Sequence, residues 1–283
     1  MTSHQNGRRP TTSDLAGCRI LVPRGGPPGE QLAAAIRTRG GLPVIVPLTT
    51  TVPPQDPAAL AAAVERWNLG CYDWLVCTSA NGVYAVVAAG ARPGMRRIAA
   101  VGPATAEALR EHGFEVAVQP DHDFSAVGLA EALLTVIGTA DGSDAAQQML
   151  LPLSEIAGTE LEHALTAAGH APHRVTAYRT LPTPRDARLE SRGRAVDAIL
   201  VMSGSGAAET ARRFAPLPPG THLVAIGAPT ARALASHGLR ADAVATRHTA
   251  DGLLDTLAAL LDRAAAPTTD HPELPHHPEG RSA

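Results

Sequence analysis

At 283 residues, with 45% hydrophobic and 18% charged side chains, the chain is long enough for two domains, each burying its own core. A formal net charge of −3 and only 3% aromatic residues argue against a general nucleic-acid binder and against a stacking surface for single strands. All 24 basic residues are arginine, and the absence of lysine removes Schiff-base enzymes, lysine-anchored pyridoxal phosphate enzymes and the P-loop.

From the amino end, residues 1–14 are polar and read as disordered, and the first twenty residues contain no apolar run of signal-peptide type. Apolar runs of β type then alternate with Ala/Leu-rich helical patterns. The runs fall at 19–22, 44–46, 74–77, 97–101, 149–151, 198–201 and 223–226, and the helical patterns at 30–39, 104–112, 160–168, 229–237 and 252–263. Continuous rather than alternating apolarity predicts strands covered on both faces, hence parallel sheets flanked by helices. Gly40, Gly113, Gly169 and Gly238 stand where left-handed caps close helices. The segment 264–283, rich in Pro, His, Thr and Glu, reads as a disordered tail. His4, His248, His271, His276 and His277 go with these low-complexity ends. Cys18, Cys71 and Cys77 lack CxxC spacing and read as reduced interior residues. No metal motif and no membrane span are visible, so the chain reads as soluble and cytoplasmic. The class is α/β.

An internal repeat organises the chain. Val101-Gly102-Pro103-Ala104-Thr105 returns as Ile226-Gly227-Ala228-Pro229-Thr230, each residue 125 positions later. The stretch Asp73-Trp74-Leu75-Val76-Cys77-Thr78-Ser79-Ala80-Asn81-Gly82 aligns with 197–206, and Gly128-Leu129 with Gly252-Leu253, both at 124. Leu21-Val22-Pro23 and Leu150-Leu151-Pro152 repeat at 129. One α/β unit is present twice, which invites a ligand cleft between the copies.

Polar residues collect where strands give way to helices, the place where open α/β sheets bind ligands. Thr105 and Thr230 open helices, either as simple N-caps or as part of an anion-binding helix start. Thr78, Ser79 and Asn81, with Ser203 and Ser205 in the second copy, follow strands, either as ordinary turns or as ligand contacts. Neither segment is a G-x-S-x-G elbow, and the G-x-G-x-x-G fingerprint is absent. The loop Arg24-Gly25-Gly26-Pro27-Pro28-Gly29 is suited to cradling an acid group, with Arg24 as the cation.

These segments in this order resemble the uroporphyrinogen-III synthase family. The likeness runs from about Gly17 to Leu261 and is carried by Leu21-Val22-Pro23-Arg24, Asp73 to Asn81, Val101 to Thr105, Val175-Thr176-Ala177-Tyr178-Arg179-Thr180 and Ala225 to Leu234. The resemblance implies two Rossmann-like lobes with parallel sheets joined by a two-stranded connector. Lobe 1 is expected to combine 15–48 with 183–263, lobe 2 to hold 55–176, and the connector to be 49–54 and 177–182. It implies cyclisation and dehydration of hydroxymethylbilane to uroporphyrinogen III, with inversion of ring D, by a cytoplasmic monomer without cofactor or metal. It also implies Tyr178 as the catalytic proton donor. Arg24, Thr78, Ser79, Asn81, Thr105, Arg179, Ser203, Ser205 and Thr230 would bind the substrate, and Arg232 is a further candidate cation. Two departures stand out. Leu151-Pro152-Leu153-Ser154-Glu155 lacks the Arg and Gly usual after that strand, and Met202 replaces the commoner Thr. Both suit an alternative: a non-catalytic tetrapyrrole-binding sensor on the same scaffold. A two-lobed binder of another small anion is a weaker rival.

Overall fold

The structure, a computed structural model, describes residues 14–140 and 145–265. The N-terminal segment up to residue 13 and the tail from 266 onward, both read above as disordered, lie outside the described residues. Ten strands and ten helices are present among the described residues, alternating except where β3 follows β2 and α5 follows α4. In order they are β1 (Arg19–Val22), α1 (Gly26–Thr38), β2 (Leu42–Ile45), β3 (Thr49–Val52), α2 (Pro57–Asn68), β4 (Trp74–Cys77), α3 (Ala80–Ala88), β5 (Arg97–Ala100), α4 (Pro103–Glu111) and α5 (Ala126–Ala140). The second half adds β6 (Gln148–Ser154), α6 (Glu160–Ala167), β7 (Ala171–Pro182), α7 (Ala187–Arg194), β8 (Ala198–Val201), α8 (Gly204–Phe214), β9 (His222–Ala225), α9 (Ala228–Ser236), β10 (Ala243–Val244) and α10 (Ala250–Ala265). The last helix runs two residues into the segment read as tail. At the other end, Asp14 is tied to the Arg39 guanidinium.

Two five-stranded sheets result, in the orders β10-β9-β8-β1-β2 and β3-β7-β6-β4-β5. Every pairing is parallel except β3 with β7. The central strands show why their runs are continuously apolar. Ile20 and Val22 of β1 enter one core layer while Leu21 enters the layer on the opposite face. Likewise Leu75 and Cys77 of β4 point to one face, Trp74 and Val76 to the other. A strand that buries both faces has no position left for a polar residue. Helices α1 and α10 cover one face of the first sheet, α8 and α9 the other; α5 with α6, and α2 with α3 and α4, do the same for the second. Gly40, Gly113, Gly169 and Gly238 all adopt positive φ just past helix ends, as their positions predict.

The sequence repeat is a repeat of topology. β9, β8, β1 and β2 of the first sheet correspond to β5, β4, β6 and β7 of the second, in the same spatial order. Even the edge matches, since β10 has its counterpart in the Ala99–Val118 bridge beside β5. The duplicated Asp73 and Asp197 are structural. Each carboxylate accepts the backbone N–H that opens the neighbouring strand, Gln148 at 2.8 Å and Arg19 at 2.7 Å.

The chain passes between the sheets at β3 and β7. Thr49–Val52 pairs with 179–182, so β7 serves both as a strand of the second sheet and as half of the connector. At its base sits Arg213 of α8, 2% exposed. Its guanidinium donates to the carbonyls of Leu48 (3.2 Å), just before β3, and Thr183 (2.6 Å), just after β7. Glu209 accepts from it at 2.9 Å. Burial opposes charge on Glu209, but hydrogen bonds from Arg212 and Arg213 outweigh it and hold the carboxyl below its ordinary value. A depressed carboxyl stabilises the fold above its unfolded pKa and loses that contribution as pH falls through the folded value, so this anchor weakens in acid, below the ordinary value of 4.5. Arg213→Met leaves the Glu209 carboxylate with Arg212 alone, and the Thr183 carbonyl loses its guanidinium donor. It should cost about 1–3 kcal/mol in denaturant unfolding, and no measurable loss would refute the anchor.

Candidate functional site

The candidate residues lie at the carboxyl ends of β1, β4, β5, β8 and β9, where the backbone leaves each strand and opens a helix. Ser79 and Ser203 are equivalent N-caps. Each accepts one helix N–H, from Gly82 and Gly206, at 3.1 Å. Gly82 is required by close approach, since a Cβ there would lie 2.7 Å from the Pro152 carbonyl. Ser205 meets Ser203 hydroxyl to hydroxyl at 3.2 Å. Thr78 and Asn81 flank Ser79, both partly exposed.

Thr105 and Thr230 require a correction. Neither is an N-cap: Gly102 and Gly227 cap α4 and α9 with extended backbone and no side-chain bond. The threonines are the third residues of their helices and are buried. A proline inside the first turn has no N–H to satisfy, so these helices start well from glycine. Thr105→Ala and Thr230→Ala should therefore avoid the cap penalty, while Ser79→Ala should cost about 1 kcal/mol. Thermal melts of the three variants check this. An equal loss in all three would restore the capping role.

Tyr178 shows how the site is aimed. Between Leu153 and Ser154 the β6–β7 register slips, so that Thr176 pairs with Leu153 but Tyr178 with Ser154. The extra residue puts Ala177 and Tyr178 into the same core layer against α2 and α3. The Tyr178 ring is 8% exposed, and its hydroxyl lies 3.0 Å from Ser79 Oγ. The phenol thus ends at the start of α3, among the candidate hydroxyls. Arg179, next in the chain, does not join it; its Nε donates to the Pro53 carbonyl at 3.1 Å, within the connector. Arg232 is exposed on α9.

Arg24, at the end of β1, makes no hydrogen bond or ion pair among the described residues. Burial pulls its pKa down from the usual arginine value, opposed by Tyr84 of α3 in the other lobe. A half-buried guanidinium with no acidic partner is costly and ready to receive an anion. Leu153, where a second cation might have stood, is buried in the core. Met202 packs against the layer under α1 and α10. The departures thus fill space with apolar side chains.

Sequence patterns do not single out Tyr84, Phe124 or Arg213, and they set His248 aside with the low-complexity ends. The His248 ring in fact lies against Gly227 and 5.2 Å from the Phe124 ring, centroid to centroid. A signal existed, because Phe124 and His248 are 124 residues apart, the offset of the repeat itself.

Duplicated parallel sheets, joined by an antiparallel connector and carrying hydroxyls, helix starts and a cation at their strand ends, define a two-lobed α/β protein. The family model for uroporphyrinogen-III synthase HemD matches residues 30–255, and the chain belongs to that family. Its fold is similar to that of a mutant uroporphyrinogen III synthase from the extremely thermophilic bacterium Thermus thermophilus, with a TM-score of 0.56 and 21% identity, covering 87% of this chain and 100% of that one. It is also similar to uroporphyrinogen-III synthetase from Helicobacter pylori, with a TM-score of 0.54 and 15% identity over 87% and 99% of the two chains. No curated protein matches the sequence. No helix among the described residues is long and apolar enough to cross a membrane.

Proposed function

We propose that the protein converts hydroxymethylbilane to uroporphyrinogen III. Membership of the family supports the reaction class, and the half-buried Arg24 without an acidic partner supports an anionic substrate. That observation carries the reading, since the substrate bears eight carboxylates while the protein's own charge is −3.

Loss of the terminal hydroxyl as water leaves an azafulvene. The already bridged carbon of ring D attacks it, and the resulting spiro intermediate fragments and recloses with ring D inverted. Without protein the same electrophile closes to the symmetric isomer, so the enzyme's task is to hold one carbon in reach before another. Tyr178 donates its proton toward the departing hydroxyl, while Ser79 fixes the phenol's direction. Serine hydroxyls, the helix starts at Gly102 and Gly227, and Arg24 grip the peripheral carboxylates.

The apolar replacements at Leu153 and Met202 favour a second reading, a tetrapyrrole-binding sensor that does not cyclise. Incubation with fresh hydroxymethylbilane, followed by oxidation and separation of the porphyrin isomers, decides between them. The type III isomer is expected. Symmetric isomer at the buffer rate, together with tight binding, would establish the sensor.

A further inference from the structure

We infer that Phe124 and His248 are positioning residues. By meeting across the cleft at the edge opposite the connector, they hold the folded substrate in place until ring D has inverted. The inference rests on the proposed cyclisation.

Sheet order places the pair. The connector leaves the first sheet beside β2 and joins the second at β7. At the far edges lie β10 and the strand-like Val118, and the chain continues from each into the segment that carries His248 or Phe124. The two rings meet edge to face, at an interplanar angle of 72°. A cleft hinged at one end is thus closed at the other by residues occupying the same place in each copy of the repeat.

The seats are equivalent too. A Cβ on Gly102 would lie 3.1 Å from the Phe124 ring, and one on Gly227 would lie 2.8 Å from His248 Nε2. Each ring therefore rests on the glycine that starts a candidate ligand-binding helix, so the pair stands beside both helix starts at once. Neither side chain belongs to any of the four core layers, and both are only partly buried. Their contact accordingly contributes little to the stability of either lobe. Aromatic pairs of this geometry shift an equilibrium by about twofold to tenfold. That is enough to favour the closed cleft and weak enough to open at each turnover. Closure also suits the chemistry, because an azafulvene that escapes closes to the symmetric isomer.

The test compares Phe124→Ala, His248→Ala, the double variant and His248→Phe, which keeps a ring in place. Cys71, read from sequence as an interior residue, is in fact exposed, while Cys18 and Cys77 are buried; dyes on Cys71 and on a cysteine introduced at exposed Ala235 report lobe separation by energy transfer. Both alanine variants should lower the closed-to-open ratio about twofold to tenfold, the double variant no more than either alone, and His248→Phe should retain the wild-type ratio. The open variants should yield about twice the proportion of symmetric isomer or more, in keeping with the size of the lost contact, with total substrate consumption little changed. An unchanged distance distribution in the double variant would overturn the contact. Open lobes with a wild-type isomer ratio would overturn its role in positioning. If the wild-type protein makes no type III isomer, the positioning role falls with the proposed function, and the distances still decide whether the pair closes the cleft.

Discussion

Tyr178→Phe should leave a folded protein that cyclises several-fold to roughly a hundredfold more slowly, with more symmetric isomer as spontaneous closure competes. General acids contribute up to about 10⁴-fold in harder reactions, but this leaving group departs easily. The substitution keeps the ring in its packed layer and removes only the hydroxyl that meets Ser79 at 3.0 Å. Its structural cost is that of one hydrogen bond, about 0.5–1.5 kcal/mol. Ser79→Ala is the companion variant: it removes the helix cap and the phenol's partner but leaves the donor. If Tyr178 acts by donating a proton, Ser79→Ala should lose more stability and less rate than Tyr178→Phe. Rates and isomer ratios are read by quenching with oxidant and separating the porphyrins. An unchanged rate and ratio in folded Tyr178→Phe would remove the tyrosine from the chemistry.

Arg24→Met should separate binding from folding in the opposite sense. Burial weakens the charged form of Arg24 and no carboxylate among the described residues compensates it, so the charge is carried at the expense of stability. Methionine fills similar space without that cost, and the variant should melt no lower than the wild type. A hydrogen bond to a charged group contributes about 1.5–3 kcal/mol, so KM for hydroxymethylbilane should rise by about tenfold to a hundredfold. A variant that melts several degrees lower with unchanged KM would make Arg24 a structural residue.

The lobes were legible because their information is local and duplicated. Apolar runs such as Ala198-Ile199-Leu200-Val201 mark strands buried on both faces, and the 124- and 125-residue offsets reproduce the order of strands in both sheets. Helix α8 was harder to see. Gly204, Ser205 and Gly206 open it, and its polar residues Glu209 and Arg213 point inward to the connector rather than out to solvent. Inverted polarity of that kind defeats a pattern that equates charge with surface. Thr105 misled for a different reason. The Gly-Pro start before it already satisfies the first turn, which leaves the threonine too deep in the helix to cap it. The register slip that aims Tyr178 depends on pairing between β6 and β7, which no local pattern encodes. The 124-residue spacing of Phe124 and His248 marks them as equivalent positions, but that the two meet follows only from the topology.

The most direct measurement is the isomer ratio formed from fresh hydroxymethylbilane by wild-type protein stripped of metals with a chelator and given no cofactor. A cleft that works by positioning, with Tyr178 as its proton donor, requires neither, and should yield predominantly the type III isomer at an undiminished rate. Symmetric isomer alone, or type III formed only after a metal or nucleotide is restored, would contradict it.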